Sequence, residues 1–411
     1  MSGRTHDVVV YGATGFVGRL VAEYLAEHAP KGTRIALAGR SRPRLEAVRA
    51  QLPPSARDWP LLVADARDQS ALEELAASTT VVATTVGPYL RYGLPLALAC
   101  ARAGTHYADL TGEVLFVRKV IDTCDSLARS TGARIVTACG YDSVPSDLGV
   151  HLLHQRARHD AAGALLDTTL QARARGGLSG GTIDSSRAQL EAVEADRSAL
   201  KVLFDPYGLS PDRTAEPDLG RERDVTTVFE DAQTGDWVGP FVMAQFNSRI
   251  VRRSNALRGH AYGRRFRYRE VNAYGPGRRG HRRALLQSAA LGLALKAMGD
   301  RRTRPLVDRL APSPGDGPSE QTRRTGWFSM TLRTTTETGR RYVATVRAQG
   351  DPGYAATAVM LGESALSLAL DGDRLPAAAG VLTPATAMGD ALVERLRARD
   401  FALTVEELPT S

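Results

Sequence analysis

Strand and helix patterns alternate from Val8 to Thr137, a glycine-rich turn closes the earliest strand, and longer alternating runs follow beyond residue 150. Together they predict an α/β fold: a Rossmann-type doubly wound parallel sheet with a second α+β domain containing a mixed or antiparallel sheet. At 411 residues the chain is long enough to bury both cores.

The first strand, Val8–Tyr11, is β-branched and breaks into G-A-T-G-F-V-G, with Gly12, Gly15 and Gly18 spaced three apart. Phe16, Val17, Leu20, Val21, Tyr24 and Leu25 then carry a helical period over Phe16–His28. Strand and helix pairs follow at Arg34–Ala38 and Arg44–Leu52, Pro60–Val63 and Ser70–Ala77, and Thr80–Thr84 and Leu94–Ala103. Thr105–Tyr107, a helix over Leu115–Ser130 and a strand at Arg134–Thr137 bring the expected parallel strands to six.

Beyond Gly140 the texture changes. A turn-rich segment feeds a helix over Ser146–Ala157, and the runs Leu165–Ala174, Trp327–Thr335 and Arg341–Arg347 alternate as antiparallel strands do. A glycine-rich turn, Gly176 to Gly181, precedes a helix opening near Thr182, and Pro312–Glu320 reads as an exposed connector. Helix patterns return at Ala355–Leu370 and Thr386–Arg399. The expected division is 1–149 for nucleotide binding, 150–350 for substrate and dimerisation, and 351–411 as a helical segment.

The chain carries 53 basic against 45 acidic side chains, a moderate excess dominated by arginine. Cys100, Cys124 and Cys139 are too scattered for a disulfide framework or a zinc site, so no metal is expected and a reducing cytoplasm is. The N-terminal M-S-G-R-T-H-D lacks the apolar core of a signal peptide. Ala284–Leu295 is too short for the roughly 20 residues of a spanning helix; a buried helix is the expectation, a membrane-surface helix the alternative.

A strand, a tight glycine turn and a helix N-terminus form the setting that a pyrophosphate needs, because bare backbone lets it approach the free N–H groups. Gly12, Thr14, Gly15, Phe16, Val17 and Gly18 make up that turn. At the end of the second strand, where NAD-type sites place a carboxylate, stand Arg40, Ser41 and Arg42. Guanidinium pairs with a 2′-phosphate that a carboxylate would repel, so NADP(H) is expected rather than NAD(H). Asp65 either bonds the adenine amino group or caps the following helix. Gly87, Pro88 and Tyr89 follow the fourth strand, where the nicotinamide half would pass.

Two further loops at strand C-termini hold H-Y-A-D-L-T-G-E and C-G-Y-D-S-V-P-S-D. Ligands of open α/β sheets lie outside those ends, so Tyr89, Tyr107, Asp109, Tyr141, Asp142 and Ser143 are expected to converge there, with turn hydrogen bonds and helix caps as their structural alternatives. No tyrosine has a lysine four residues on, which separates the chain from the short-chain reductases.

Taken together, G-A-T-G-F-V-G, A-G-R-S, V-G-P-Y, Y-A-D-L-T-G-E, G-Y-D-S-V-P-S-D-L-G, G-D-P-G-Y and V-L-T-P-A-T-A-M-G-D resemble the saccharopine-dehydrogenase-like oxidoreductases. The resemblance is to the actinobacterial branch containing trans-acting enoyl reductases, and it runs nearly the whole chain. It implies NADPH-dependent reduction of the trans double bond of an enoyl thioester held on the acyl carrier domain of a polyketide synthase, toward phthiocerol or phenolphthiocerol lipids. It also implies that the last segment packs back on the nucleotide domain. The family does not fix the proton donor.

Enolate stabilisation is expected from Tyr141, Ser143 or the N–H groups of Gly140–Ser143, and the proton from Tyr89 or Tyr107. Arg249–Arg283 concentrates about a dozen arginines, with interleaved aromatics, against Glu270 alone. An acidic carrier domain, a phosphopantetheine phosphate or an anionic leaflet suits this stretch, as does solvent; nucleic acid is not the expected partner. A homodimer is left open. The rival readings are a saccharopine-type amino-acid or imine dehydrogenase and a non-catalytic NADP-binding lipid-surface or scaffold protein.

Overall fold

The computed structural model describes residues 3–176, 180–299, 302–303 and 317–409. Most of the Gly176–Gly181 turn's interior and much of the Pro312–Glu320 connector lie outside these residues.

The N-terminal half alternates as its patterns predict: β1 (His6–Tyr11), α1 (Phe16–His28), β2 (Ile35–Gly39), α2 (Arg42–Gln51), β3 (Leu61–Val63), α3 (Gln69–Ser78), β4 (Thr79–Thr84), α4 (Tyr89–Ala103), β5 (His106–Ala108), α5 (Val114–Thr131) and β6 (Arg134–Val136). Its strands lie parallel in the order β3-β2-β1-β4-β5-β6. Val8, Val9 and Val10 are all fully buried, because helices cover both faces of a parallel sheet. Val8 and Val10 join the core under α1, while Val9 and Tyr11 join the one under α3, α4 and α5.

α6 (Val144–His159) leaves this sheet and packs on a second one. That sheet includes β7 (Leu165–Arg175), β8 (Phe229–Glu230), β9 (Asp236–Pro240), β10 (Arg267–Pro276), β11 (Trp327–Thr336) and β12 (Arg341–Gln349). It is mixed: β10 runs parallel to β7, and the other pairings are antiparallel. Between its strands stand α7 (Gly180–Ala195), α8 (Ala199–Phe204), α9 (Ala244–Leu257), α10 (Gly277–Gly299) and α11 (Glu320–Thr325).

The C-terminal segment serves both sheets. α12 (Ala355–Leu370) is buried along most of its length and packs on α1, β4 and β5. β13 (Gly380–Leu382) adds a seventh parallel strand beside β6, and α13 (Pro384–Ala387) and α14 (Gly389–Arg397) follow. β14 (Ala402–Leu408) pairs with β12 at the edge of the second sheet. The sequence pattern shows only the helices of this segment: β13 is three residues long, and β14 carries Glu406 and Glu407 near its end and takes its register from β12.

Two expectations fail on burial. Arg249, Arg252 and Arg253 of α9 are not a solvated basic surface but lie at most 5% exposed. Arg253 donates to the carbonyls of Leu209 (2.7 Å) and Val381 (2.6 Å), tying the 205–224 loop to β13. α10 is not a buried helix either: Leu286 and Leu293 are 70% and 69% exposed. No helix among the described residues is long and apolar enough to cross a membrane.

Candidate functional site

β1 ends at Tyr11, and Gly12 turns the chain with φ +89°, a conformation few side chains tolerate. A Cβ on Gly18 would stand 2.1 Å from the Gly12 carbonyl oxygen, so α1 closes on the turn only with glycine there. Gly15 is the N-cap and supplies no side-chain acceptor, leaving the first-turn N–H groups of α1 free to meet a ligand. Gly39, at the end of β2, lies against Thr14, which brings Arg40 and Ser41 to the same end of the sheet. Arg40 is exposed and holds no ion pair among the described residues. These features fit a dinucleotide with a 2′-phosphate: a cradle that a side chain would fill, helix amides for the pyrophosphate, and an unpaired guanidinium. Asp65 is exposed, and its carboxylate accepts the Arg67 N–H at 2.9 Å.

From this turn a cleft of about 1070 Å³ opens between the two sheets. Gly15, Phe16, Val17, Gly87, Pro88 and Tyr89 line its nucleotide side, whereas Arg40, Ser41 and Asp65 lie outside it, past the ends of β2 and β3. Phe16 is held edge-on by Tyr354 at 5.0 Å, with the Arg323 guanidinium 5.3 Å from its ring centre. The second domain contributes Phe241, Met243, Phe246, Leu291 and Leu295, so the far wall is mostly apolar.

The tyrosines separate by what their hydroxyls do. Tyr89 lines the cleft, but its hydroxyl donates to the Thr84 carbonyl (3.1 Å) and accepts the Leu110 N–H (3.2 Å). Tyr107 is fully buried outside the lining and donates to Asp109 at 2.8 Å. Burial pushes both phenols well above their ordinary range, so both are held as internal posts. Ser143 is also buried outside the lining, where its hydroxyl donates to Asn247 in a polar chain that continues to Glu270. Tyr107, Asp109 and Ser143 therefore do not converge on the cleft.

Tyr141 and Asp142 do. The Tyr141 N–H donates to Thr357 Oγ1 at 3.0 Å and its ring meets Phe328 edge-on, which orients the side chain along the cleft wall. Its hydroxyl has no protein partner among the described residues. Of the loop amides, those of Tyr141 and Ser143 are spent within the protein, and those of Gly140 and Asp142 hold no hydrogen bond among the described residues. The Asp142 carboxyl lies beside Gly112, where an added Cβ would approach it to 3.2 Å. It has no hydrogen bond among the described residues, and burial pushes its pKa up to about 7. The sequence placed Asp142 in this loop, but its part in the cleft rests on the missing hydrogen-bond partner, which no spacing reveals. Arg223, Phe204 and the inner face of α10 also line the cleft and carry no sequence motif.

Residues 8–139 match the model of the saccharopine dehydrogenase NADP binding domain. A trans-acting enoyl reductase of Mycobacterium bovis is 49% identical over 405 residues, covering 96% of each chain. One of Mycobacterium ulcerans is 48% identical over the same length and coverage. Among solved structures, saccharopine dehydrogenase (L-Glu forming) from Saccharomyces cerevisiae superposes with a TM-score of 0.56, covering 98% of this chain and 99% of its own at 15% identity, a likeness of fold. With the glycine cradle and the exposed Arg40 already pointing to NADP(H) as cofactor, the chain belongs to the trans-acting enoyl reductase family and is an NADP(H)-dependent oxidoreductase.

Proposed function

We propose that the protein reduces the trans double bond of an enoyl thioester with NADPH, acting in trans on a chain carried by the acyl carrier domain of a polyketide synthase, in the making of phthiocerol- or phenolphthiocerol-type lipids. The observation that carries the reaction is the pair Tyr141 and Asp142, both without side-chain hydrogen-bond partners among the described residues, in the cleft that the glycine turn opens into. When bound, NADPH supplies the hydride.

The chain's own residues provide the rest. As the β-carbon is reduced, charge develops on the thioester oxygen, and the Tyr141 hydroxyl with the Asp142 N–H donates to it. The α-carbon then takes a proton, which the Asp142 carboxyl, raised to about 7 by burial, retains near neutral pH. Phe241, Met243 and Phe246 keep water from the acyl chain. Arg223, exposed at the cleft and unpaired among the described residues, suits the phosphate of a phosphopantetheine arm.

A small zwitterionic substrate would need charged clamps. The cleft's Asp184 and Asp224 are instead committed to Arg187 (2.9 Å) and Arg249 (3.1 Å), and the raised Asp142 carboxyl keeps its proton near neutral pH. Arg223 could clamp a carboxylate, but none of these three carboxyls would clamp an ammonium group, which favours the acyl reading over an amino-acid dehydrogenase. Mixing the protein with NADPH and a crotonyl-type or longer enoyl thioester, and following loss of cofactor absorbance, tests it. Turnover with the thioester is expected. Turnover only with an amino acid and a carbonyl compound would reject the proposal, and cofactor binding without any turnover would favour a scaffold.

A further inference from the structure

α10 presents two faces of opposite use. Ala284, Ser288, Leu291 and Leu295 recur at helical spacing on the inner side: Ala284 is buried, Ser288 lies against Gly239 of β9, and the two leucines reach the cleft. Trp237 of β9 stacks on His281 at 3.9 Å and anchors the helix at its first turns. The outer side carries Leu286, Ala289, Ala290 and Leu293, all exposed, with Leu285 half-exposed beside them. Phe204, 69% exposed, and Val242 extend the apolar surface around the cleft mouth. A contiguous apolar surface of this kind marks a contact with something other than water.

The charge on the same helix identifies the contact. Arg278, Arg279, Arg282 and Arg283 are exposed and without ion pairs among the described residues. Cations at a helix N-terminus oppose its dipole, and Arg278 with Arg282, like Arg279 with Arg283, repel at i,i+4 spacing. An external anion would offset that cost to the helix. Pairing of this helix with its own copy would offer the arginines no anion, because Gly277–Gly299 carries no acidic residue. An acyl chain alone would leave the arginines unanswered.

We infer that α10 is an in-plane helix that docks the protein on an anionic lipid bilayer. Leu286 and Leu293 enter the acyl boundary, the four arginines meet lipid phosphates, and the cleft mouth opens onto the leaflet. This docking does not depend on the reaction proposed above.

The test is sedimentation of the full-length protein with vesicles of phosphatidylcholine alone or mixed with phosphatidylglycerol. The expected result is partition into the anionic vesicles roughly tenfold or more above the neutral ones at low salt, weakening as salt rises. The double variant Leu286→Asp/Leu293→Asp should lose that partition while oxidising NADPH with a water-soluble enoyl thioester as the wild type does. If the soluble assay is silent in both proteins, the reaction assignment fails and the docking result stands by itself. Equal binding to both vesicles, binding to neither, or binding that survives the double variant would overturn the inference. A wild-type dimer that the double variant splits would overturn it too, by making this face a subunit interface.

Discussion

The Glu113 carboxylate stands 2.9 Å from the main-chain nitrogen of Tyr89 and 2.7 Å from that of Leu90, so the residue just before α5 caps the first turn of α4. Ser185 of α7 donates to the same carboxylate at 2.6 Å, joining the second domain to the cleft floor. Replacing Glu113 with Gln turns one acceptor into a donor facing N–H groups. The loss should be about 1–3 kcal/mol of stability. Thermal unfolding would read it, and NADPH titration should show weaker binding, since Gly87, Pro88 and Tyr89 line the cofactor side of the cleft.

Arg40→Asp removes the exposed guanidinium past β2 and puts a carboxylate where the 2′-phosphate is expected. NADPH affinity should fall by at least about tenfold, the scale of one lost charge-assisted contact plus repulsion, with NADH affinity far less affected. Parallel titrations with the two coenzymes decide this, and equal weakening would show that the phosphate sits elsewhere.

Burial raises the carboxyls of Asp109, Asp142 and Glu270 to about 7. Unfolded carboxylates titrate near pH 4, so between roughly pH 4 and 7 these three sites bind more protons in the folded chain than in the unfolded one. These three groups therefore make stability fall as pH rises through that window and level off above it. Asp142→Asn should flatten the decline of Tm across the window, as read by thermal unfolding at a series of pH values. In turnover, the wild type should lose activity above about pH 7 as Asp142 gives up its proton, while Asp142→Asn binds NADPH and reduces little or none of the thioester.

Much of the nucleotide half was legible because parallel strands bury both faces and read as unbroken apolar runs. The sequence places helices at Phe16–His28 and Ala355–Leu370, and the structure ends α1 and α12 at those residues. α4 begins five residues before its sequence pattern does, at Tyr89 rather than Leu94, because Glu113 satisfies its first amides across the loop and Pro95 breaks the pattern inside it. Composition alone misreads the basic stretch: Arg253 and Arg279 look alike as letters, yet one bonds buried carbonyls and the other faces solvent. Likewise, the run Ala284–Leu295 shows a helical period but not which side the protein covers. Within the site, the glycine turn announces itself by spacing, whereas the separation of Tyr141 from Tyr107 depends on where β5 and the loop after β6 direct their side chains.

Arg223→Ala tests the carrier arm. The KM for a thioester on phosphopantetheine should rise several-fold, the effect of one exposed charge contact to phosphate, with kcat kept. A thioester of N-acetylcysteamine, which lacks the phosphate, should show no change. A rise for both substrates would assign Arg223 to general cleft structure.

The most direct measurement supplies NADPH deuterated at its transferable hydride and an enoyl thioester, then locates the label in the product by mass spectrometry. Reduction at this cleft predicts a saturated thioester with one deuterium on the β-carbon, formed by the wild type and not by Asp142→Asn. An unlabelled, still unsaturated thioester recovered beside oxidised cofactor would contradict the account.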